Sequence, residues 1–159
     1  MKIKIRTLAA GLVLSSGGLI TIATNEGYRD NAYIPVPGDV ATIGFGETIN
    51  PDGTRVLLGQ RTTPEKALKR LGEHVEVYEE AVRTCAPVPM YQYEFDAYVS
   101  LSYNIGTNAF CKSTIITKLK LYDYAAACKE ILKWDKFKGR ALPGLTKRRT
   151  EEYKICIGE

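Results

Sequence analysis

Apolar positions along this chain follow three rhythms, and each predicts a different kind of element. Residues 8–23, LAAGLVLSSGGLITIA, contain no charged side chain. They predict a glycine-interrupted helix over 8–28. Residues 29–60 break into short β-branched and aromatic runs punctuated by Pro35, Pro37, Gly44, Gly46 and Pro51. With NPDG at 50–53 as a turn, this region predicts a small antiparallel sheet with strands near 31–35, 41–46 and 54–58. From Thr63 onward the period becomes helical. Thr63 before Pro64, with Glu65 in the first turn, marks a helix start. Leu68, Leu71, Val75, Tyr78 and Val82 then recur every three or four residues as one stripe, predicting a helix near 64–84. His74 falls beside that stripe, at the surface. A more apolar helix is expected over 89–105. Ser113 and Asp123 read as N-caps of short helices at 114–121 and 124–133. Pro143 opens a last helix, whose Lys147-Arg148-Arg149 run reads as a solvated face. A small sheet followed by a helical lobe is an α+β pattern.

The 159 residues suit one domain. Lys and Arg number 22 against 18 Asp and Glu, a net charge of +4 that favours an anionic polymer or envelope. That charge is too sparse for a dedicated nucleic-acid binder. Met1 to Thr7 carries Lys2, Lys4 and Arg6 and no acid, ahead of the uncharged stretch. A basic n-region before an apolar run is the pattern of an export signal. At 16 residues, with Gly11, Gly17, Gly18, Ser15 and Ser16 inside it, the stretch would hold only weakly in a bilayer.

Four cysteines, Cys85, Cys111, Cys128 and Cys156, stand at long gaps with a single histidine, which argues for two disulfides and against a metal site. Connectivity does not follow from sequence. The expected pairs are Cys111–Cys128, joining two consecutive short helices, and Cys85–Cys156, tying the chain end to the body.

No nucleophile-elbow, zinc or phosphate-loop motif is present, and one histidine does not furnish a Ser-His-Asp triad. Carboxylates and hydroxyls near a glycine-rich turn remain. Glu26 closes the first helical stretch, and Asp39 and Thr42 lie in PGDVATIGFG. Two carboxylates facing across a cleft suit glycoside hydrolysis, one donating a proton to the leaving oxygen and the other handling water. The segment EGYRDNAYIPVPGDVATIGFGET resembles the active-site segment of the phage lysozyme family, glycoside hydrolase family 24. The likeness continues through AYVSLSYNIGTNAFCKSTIITKL, WDK at 134–136 and PGLTKRRTEEY at 143–153, and covers residues 20–157.

The resemblance implies a lysozyme fold of a sheet lobe and a helical lobe joined by the long helix. It also implies hydrolysis of the β-1,4 bond between N-acetylmuramic acid and N-acetylglucosamine, for host cell lysis, with no cofactor and no metal. Carried over by position, Glu26 matches the catalytic acid and Thr42 the threonine before Ile-Gly-x-Gly. The family's second carboxylate position holds Pro35 here. Asp39 is the expected substitute and Asp30 its rival, and a site with no second carboxylate stays open. Glu47 occupies a slot where many relatives carry His. Tyr33 and Asn104 are expected to touch substrate. The N-terminus resembles that of signal-arrest-release endolysins. That likeness implies an uncleaved segment, residues 1–25, before a catalytic domain at 26–159. Residues 8–23 would tether a monomer to the host inner membrane on its periplasmic side, and the protein would then be released to the periplasm, with peptidoglycan as its partner. The alternatives are a lytic transglycosylase using Glu26 alone, a non-catalytic glycan-binding protein on the membrane, and a plain membrane-perturbing protein.

Overall fold

The computed structural model describes residues 5–159. In chain order its elements are β1 (Thr7–Leu8), α1 (Ser16–Glu26), β2 (Arg29–Tyr33), β3 (Thr42–Gly44), α2 (Pro64–Cys85), β4 (Pro89–Met90) and α3 (Gln92–Ile105). They continue with α4 (Thr107–Cys111), α5 (Thr114–Lys120), α6 (Tyr124–Glu130), β5 (Lys136–Phe137), β6 (Arg140–Ala141) and α7 (Pro143–Ile157). Two compact units emerge. One is residues 20–74, and the other combines the described part of 1–19 with 75–159, so that both α1 and α2 contribute to each.

In the smaller unit, β2 and β3 pair antiparallel, with Arg29 opposite Gly44 and Tyr33 opposite Thr42. Ile22, Ile43, Val56, Ala67 and Leu71 are buried and form its core. The expected third strand at 54–58 is reduced to a single bridge, Ile49 to Arg55. The NPDG turn forms as expected, with Gly53 N–H donating to the Asn50 carbonyl at 2.9 Å. Beyond it Leu57 and Leu58 find no strand to pair with and stay exposed.

The larger unit is helical. Residues 94–102 of α3 are buried throughout, which makes α3 the central helix, and α7 packs along it. The stripe on α2 is used as expected from Leu71 through Val82, and His74 is exposed. Asp123 caps α6 by accepting the Ala126 N–H. Ser113 does not cap α5. Its hydroxyl donates to the Phe110 carbonyl at 2.6 Å instead.

Four further expectations need correction. Helix over 8–28 begins only at Ser16, where the Ser15 hydroxyl accepts the Gly18 N–H at 3.1 Å. Upstream, β1 pairs with β4, and a 3-10 turn follows at Ala9–Gly11. The tertiary partner β4 and the two-residue Ser15-Ser16 break outweigh the apolar helical pattern there. The helix expected from 89 likewise starts at Gln92, because Pro89 and Met90 form β4.

The disulfides join Cys85 to Cys111 and Cys128 to Cys156. Cys111 faces the end of α2, where it also approaches the Ala81 carbonyl, and Cys128 on α6 meets α7 at Cys156. The intervening α5 packs against α6, so α4 and α6 are not the neighbours that the expected Cys111–Cys128 pair required. Finally, the 147–149 run is not a solvated face. Only Lys147 is exposed, while Arg148 and Arg149 are buried around Glu152.

Candidate active site

Glu26 is the last residue of α1 and is half-buried. The helix stops there because Gly27 takes a φ of 74°, and its N–H closes the turn on the Ala23 carbonyl at 3.0 Å. Only Tyr28 separates that glycine from β2, so the helix end and the hairpin are joined without slack. Tyr28 fixes the junction by ring contact with Phe45 at 5.5 Å and by donating its hydroxyl to the Thr62 carbonyl at 3.2 Å.

Thr42 opens β3 and is buried, and its hydroxyl donates to the Val40 carbonyl at 3.2 Å. Tyr33 lies opposite it in the register, half-exposed, with the Arg29 guanidinium 5.5 Å from its ring. The pairing therefore brings Tyr33 and Thr42 together.

Asp39 sits in the exposed connection three residues before Thr42, and its carboxylate accepts the Val40 N–H at 2.8 Å. It borders an apolar groove of about 570 Å³ together with Val40, Ala41, Val56 and Leu57. The rival Asp30 is already engaged, accepting from Arg61 at 3.3 Å and from Asn31 at 2.8 Å. Pro35 carries no acid into the hairpin.

Glu47, in the slot where many relatives carry His, holds the turn after β3. Its carboxylate accepts the Phe45 N–H at 2.9 Å, and its backbone exchanges both hydrogen bonds with Ile43 at 2.9 Å. It thereby ties the Gly44–Gly46 turn that ends β3. Gly44 has a φ of 65°, a left-handed backbone that favours glycine.

Asn104 belongs to the helical unit, near the end of α3, where its side-chain oxygen accepts from Arg149 at 3.1 Å. Arg149 and Glu152 are fully buried and paired at 2.9 Å, and Ser100 donates to Glu152 at 2.7 Å. Burial pushes the Glu152 carboxyl above its ordinary range, against the pull of Arg149 and Arg148. This network was missed in the sequence. Its signal was the i to i+3 and i to i+4 spacing of Arg149, Arg148 and Glu152, which puts all three on one helix face.

Among the described residues no group of histidine, cysteine and acidic side chains could hold a metal ion, and no helix is long and apolar enough to cross a membrane.

Comparison with known proteins agrees with the fold and with the motifs. The model of the phage lysozyme family matches residues 23–152. The chain is 37% identical to the endolysin of Salmonella phage P22 over 144 residues, covering 91% of this chain and 97% of that protein. It is 30% identical to the SAR-endolysin of Haemophilus phage HP1, covering 87% of this chain and 77% of that protein. The solved endolysin from Escherichia coli O157:H7 phage FAHEc1 superimposes with a TM-score of 0.84 at 34% identity, over 93% of this chain and 95% of that one. The chain belongs to the phage lysozyme family, the glycoside hydrolases whose substrate is peptidoglycan, and its function is that of an endolysin.

Proposed function

We propose that Glu26 is the general acid of a muramidase that cleaves the β-1,4 bond between N-acetylmuramic acid and N-acetylglucosamine. The protonated Glu26 carboxyl gives its proton to the glycosidic oxygen as that bond breaks. Asp39 takes a proton from the incoming water, and Thr42 helps to hold that water. The water attacks from the face opposite the leaving group and inverts the anomeric centre, a geometry in which the two carboxyl groups stand about 6.5–9.5 Å apart. Tyr33 and Asn104 contact the glycan.

The observation that carries this reading is the continuity of α1 with the hairpin. An acid ends the helix, one glycine and one aromatic residue follow, and the first hairpin then pairs Tyr33 with Thr42. Thr42 spends its proton on the Val40 carbonyl, so its oxygen is left to accept from water. Engagement of Asp30 by Arg61 supports Asp39 as the second carboxylate.

The test is a digestion of peptidoglycan by wild type, Glu26→Gln and Asp39→Asn, with product masses recorded. Both substitutions are expected to abolish release of water-added fragments. An active Asp39→Asn giving anhydro ends would replace the hydrolase by a transglycosylase that uses Glu26 alone.

We further infer that residues 1–25 are an uncleaved segment ahead of the catalytic residues 26–159. In this reading residues 8–23 hold a monomer at the inner membrane before its release to the periplasm. The uncharged stretch after Lys2, Lys4 and Arg6, and the likeness to a SAR-endolysin, support this. The chain should fractionate with membranes until the membrane potential is dissipated, and then appear as a soluble species of unchanged mass. A chain that is soluble from the start, or shortened, would refute it.

A further inference from the structure

The smaller unit carries a second concavity. A groove of about 420 Å³ runs between the first turns of α2 and the segments around Asn50 and Gln60. Its floor is Ile43, the neighbour of Thr42 on β3. Successive side chains of a strand point to opposite faces, so the groove lies on the other side of β3 from the Thr42 side chain. It is not the site at which Thr42 acts.

Its walls are cationic. Arg61, Lys66, Lys69 and Arg70 line it against one acid, Glu73. Three of the four cations lie on one helix face, at i, i+3 and i+4 of α2. Two of them are already oriented, since Arg70 donates to the Ile49 carbonyl and Arg61 holds Asp30 at 3.3 Å. Lys69 meets Glu73 only at 3.9 Å, with both side chains largely exposed. Lys66 has no ion pair among the described residues.

We propose that this groove binds the carboxylate-bearing peptide stems of peptidoglycan, as a wall-holding site separate from the residues that cut the glycan. Lys66 to Arg70 spans about 6 Å along the helix, at about 1.5 Å per residue. That spacing suits several carboxylates distributed along an extended peptide better than one compact phosphate. On the opposite wall the Asn50 amide already donates to Thr54 and to the Arg55 carbonyl, and the Gln60 oxygen already accepts from the Leu57 N–H. The Asn50 oxygen and the Gln60 side-chain N–H are therefore the atoms that can pair with a peptide backbone, and the apolar floor accepts an alanine methyl. Peptidoglycan as the polymer rests on the muramidase reading. The anionic, extended character of the ligand rests on the groove alone.

The test measures retention of the full chain on sedimented peptidoglycan sacculi in the Glu26→Gln background, with and without Lys66→Gln and Lys69→Gln together. Removing two charge-assisted contacts should weaken retention about three- to tenfold. The same pair of changes should leave binding to amidase-treated, peptide-free glycan untouched. Equal losses on both polymers, or no loss on either, overturn the proposal. Loss of binding to phosphatidylglycerol vesicles with sacculus retention unchanged also overturns it, in favour of a lipid headgroup. Sugar released by Glu26→Gln during the assay would report failure of the catalytic assignment, and the lysine comparison would still stand. With Glu26 intact, the lysine changes should raise KM on sacculi and leave kcat unchanged.

Discussion

Replacing Arg6 tests how the N-terminal segment is held. Its guanidinium forks onto Glu94, with Nε at 3.1 Å and an Nη at 2.8 Å, and lies 4.2 Å from the Tyr91 ring and 3.7 Å from the Tyr124 ring. The Glu94 side chain is 3% exposed and the Arg6 side chain 31%. Glu94 also accepts the Tyr91 N–H at 2.7 Å and so caps α3. Breaking a fully buried pair by removing one partner costs about 3–5 kcal/mol. Partial exposure of Arg6 and the capping bond that Glu94 keeps reduce this to about 2 kcal/mol, with about 0.5 kcal/mol or more from the lost ring contacts. Arg6→Gln should therefore lose about 2–3 kcal/mol, which lowers Tm by about 5–10 °C for a chain of this size. Arg6→Lys keeps the charge and loses the fork, and should fall between the two. The assay is thermal unfolding followed by circular dichroism, with exposed Arg140→Gln as a control. The shift should survive moderate salt, because a partly buried pair is weakly screened. An Arg6→Gln protein that melts with the wild type would refute the reasoning and show that residues 5–15 do not dock as described.

Gly44→Ala should destabilise by about 1–3 kcal/mol in denaturant titration, because its φ is 65° and a new Cβ would stand 3.1 Å from that of Ala67 and against the Glu47 carboxylate. Replacing Cys128 and Cys156 together by Ala opens a link spanning 28 residues and should cost about 3–4 kcal/mol, read as a Tm about 10 °C lower; an unchanged Tm would show that the bridge does not restrain the chain. Lys133 at 2.6 Å, with Thr114 at 2.5 Å, holds the Glu130 carboxyl below its ordinary value of 4.5. A depressed carboxyl contributes stability above that value and loses it as pH falls through the lower folded one. Glu130→Gln should therefore weaken the fold at neutral pH and flatten the acid limb of stability against pH; a limb of unchanged slope would refute this.

Much of the hairpin's backbone was legible because its signals are local. The NPDG turn and the Pro64 helix start are each written within a few residues, whereas the helix expected to run to residue 28 stops at Glu26 because Gly27 takes a positive φ. What stayed hidden is long-range. Arg148 and Arg149 read as a surface run because charge normally seeks water. Only α3, packed along the same face, supplies Ser100 and Asn104 as partners and makes burial affordable. The cysteine pairing failed for the same reason. Adjacency in sequence suggested Cys111 with Cys128, but α5 intervenes and turns each cysteine toward a helix far away in the chain.

The N-terminal stretch shows how an uncharged sequence can also be a specific one. From Leu12 to Ser15 it is held by backbone groups, and the charged and polar side chains come from α2 and α3. Arg83 donates to the Leu12 carbonyl at 2.8 Å, and Gln92 donates to the Val13 carbonyl at 2.8 Å. Glu79 accepts the Leu14 N–H at 2.5 Å, and Asp96 accepts the Ser15 N–H at 3.0 Å. Every residue except proline carries these backbone groups, so the contacts leave side chains 8–14 free to be apolar. Side-chain identity matters at two places. Ser15 joins Asp96 to the Gly18 N–H, and Gly18 leaves room for the Asp96 side chain, which a Cβ would meet at 2.9 Å. If residues 8–23 are also to enter a bilayer, this division of labour is what permits it. The charge needed for docking stays on the folded helices, and the segment itself has only to be uncharged, small at Gly18 and hydroxylated at Ser15. Gly18→Ala should then weaken docking while leaving membrane association intact. A variant that loses both would show that the two properties are not separable in this way.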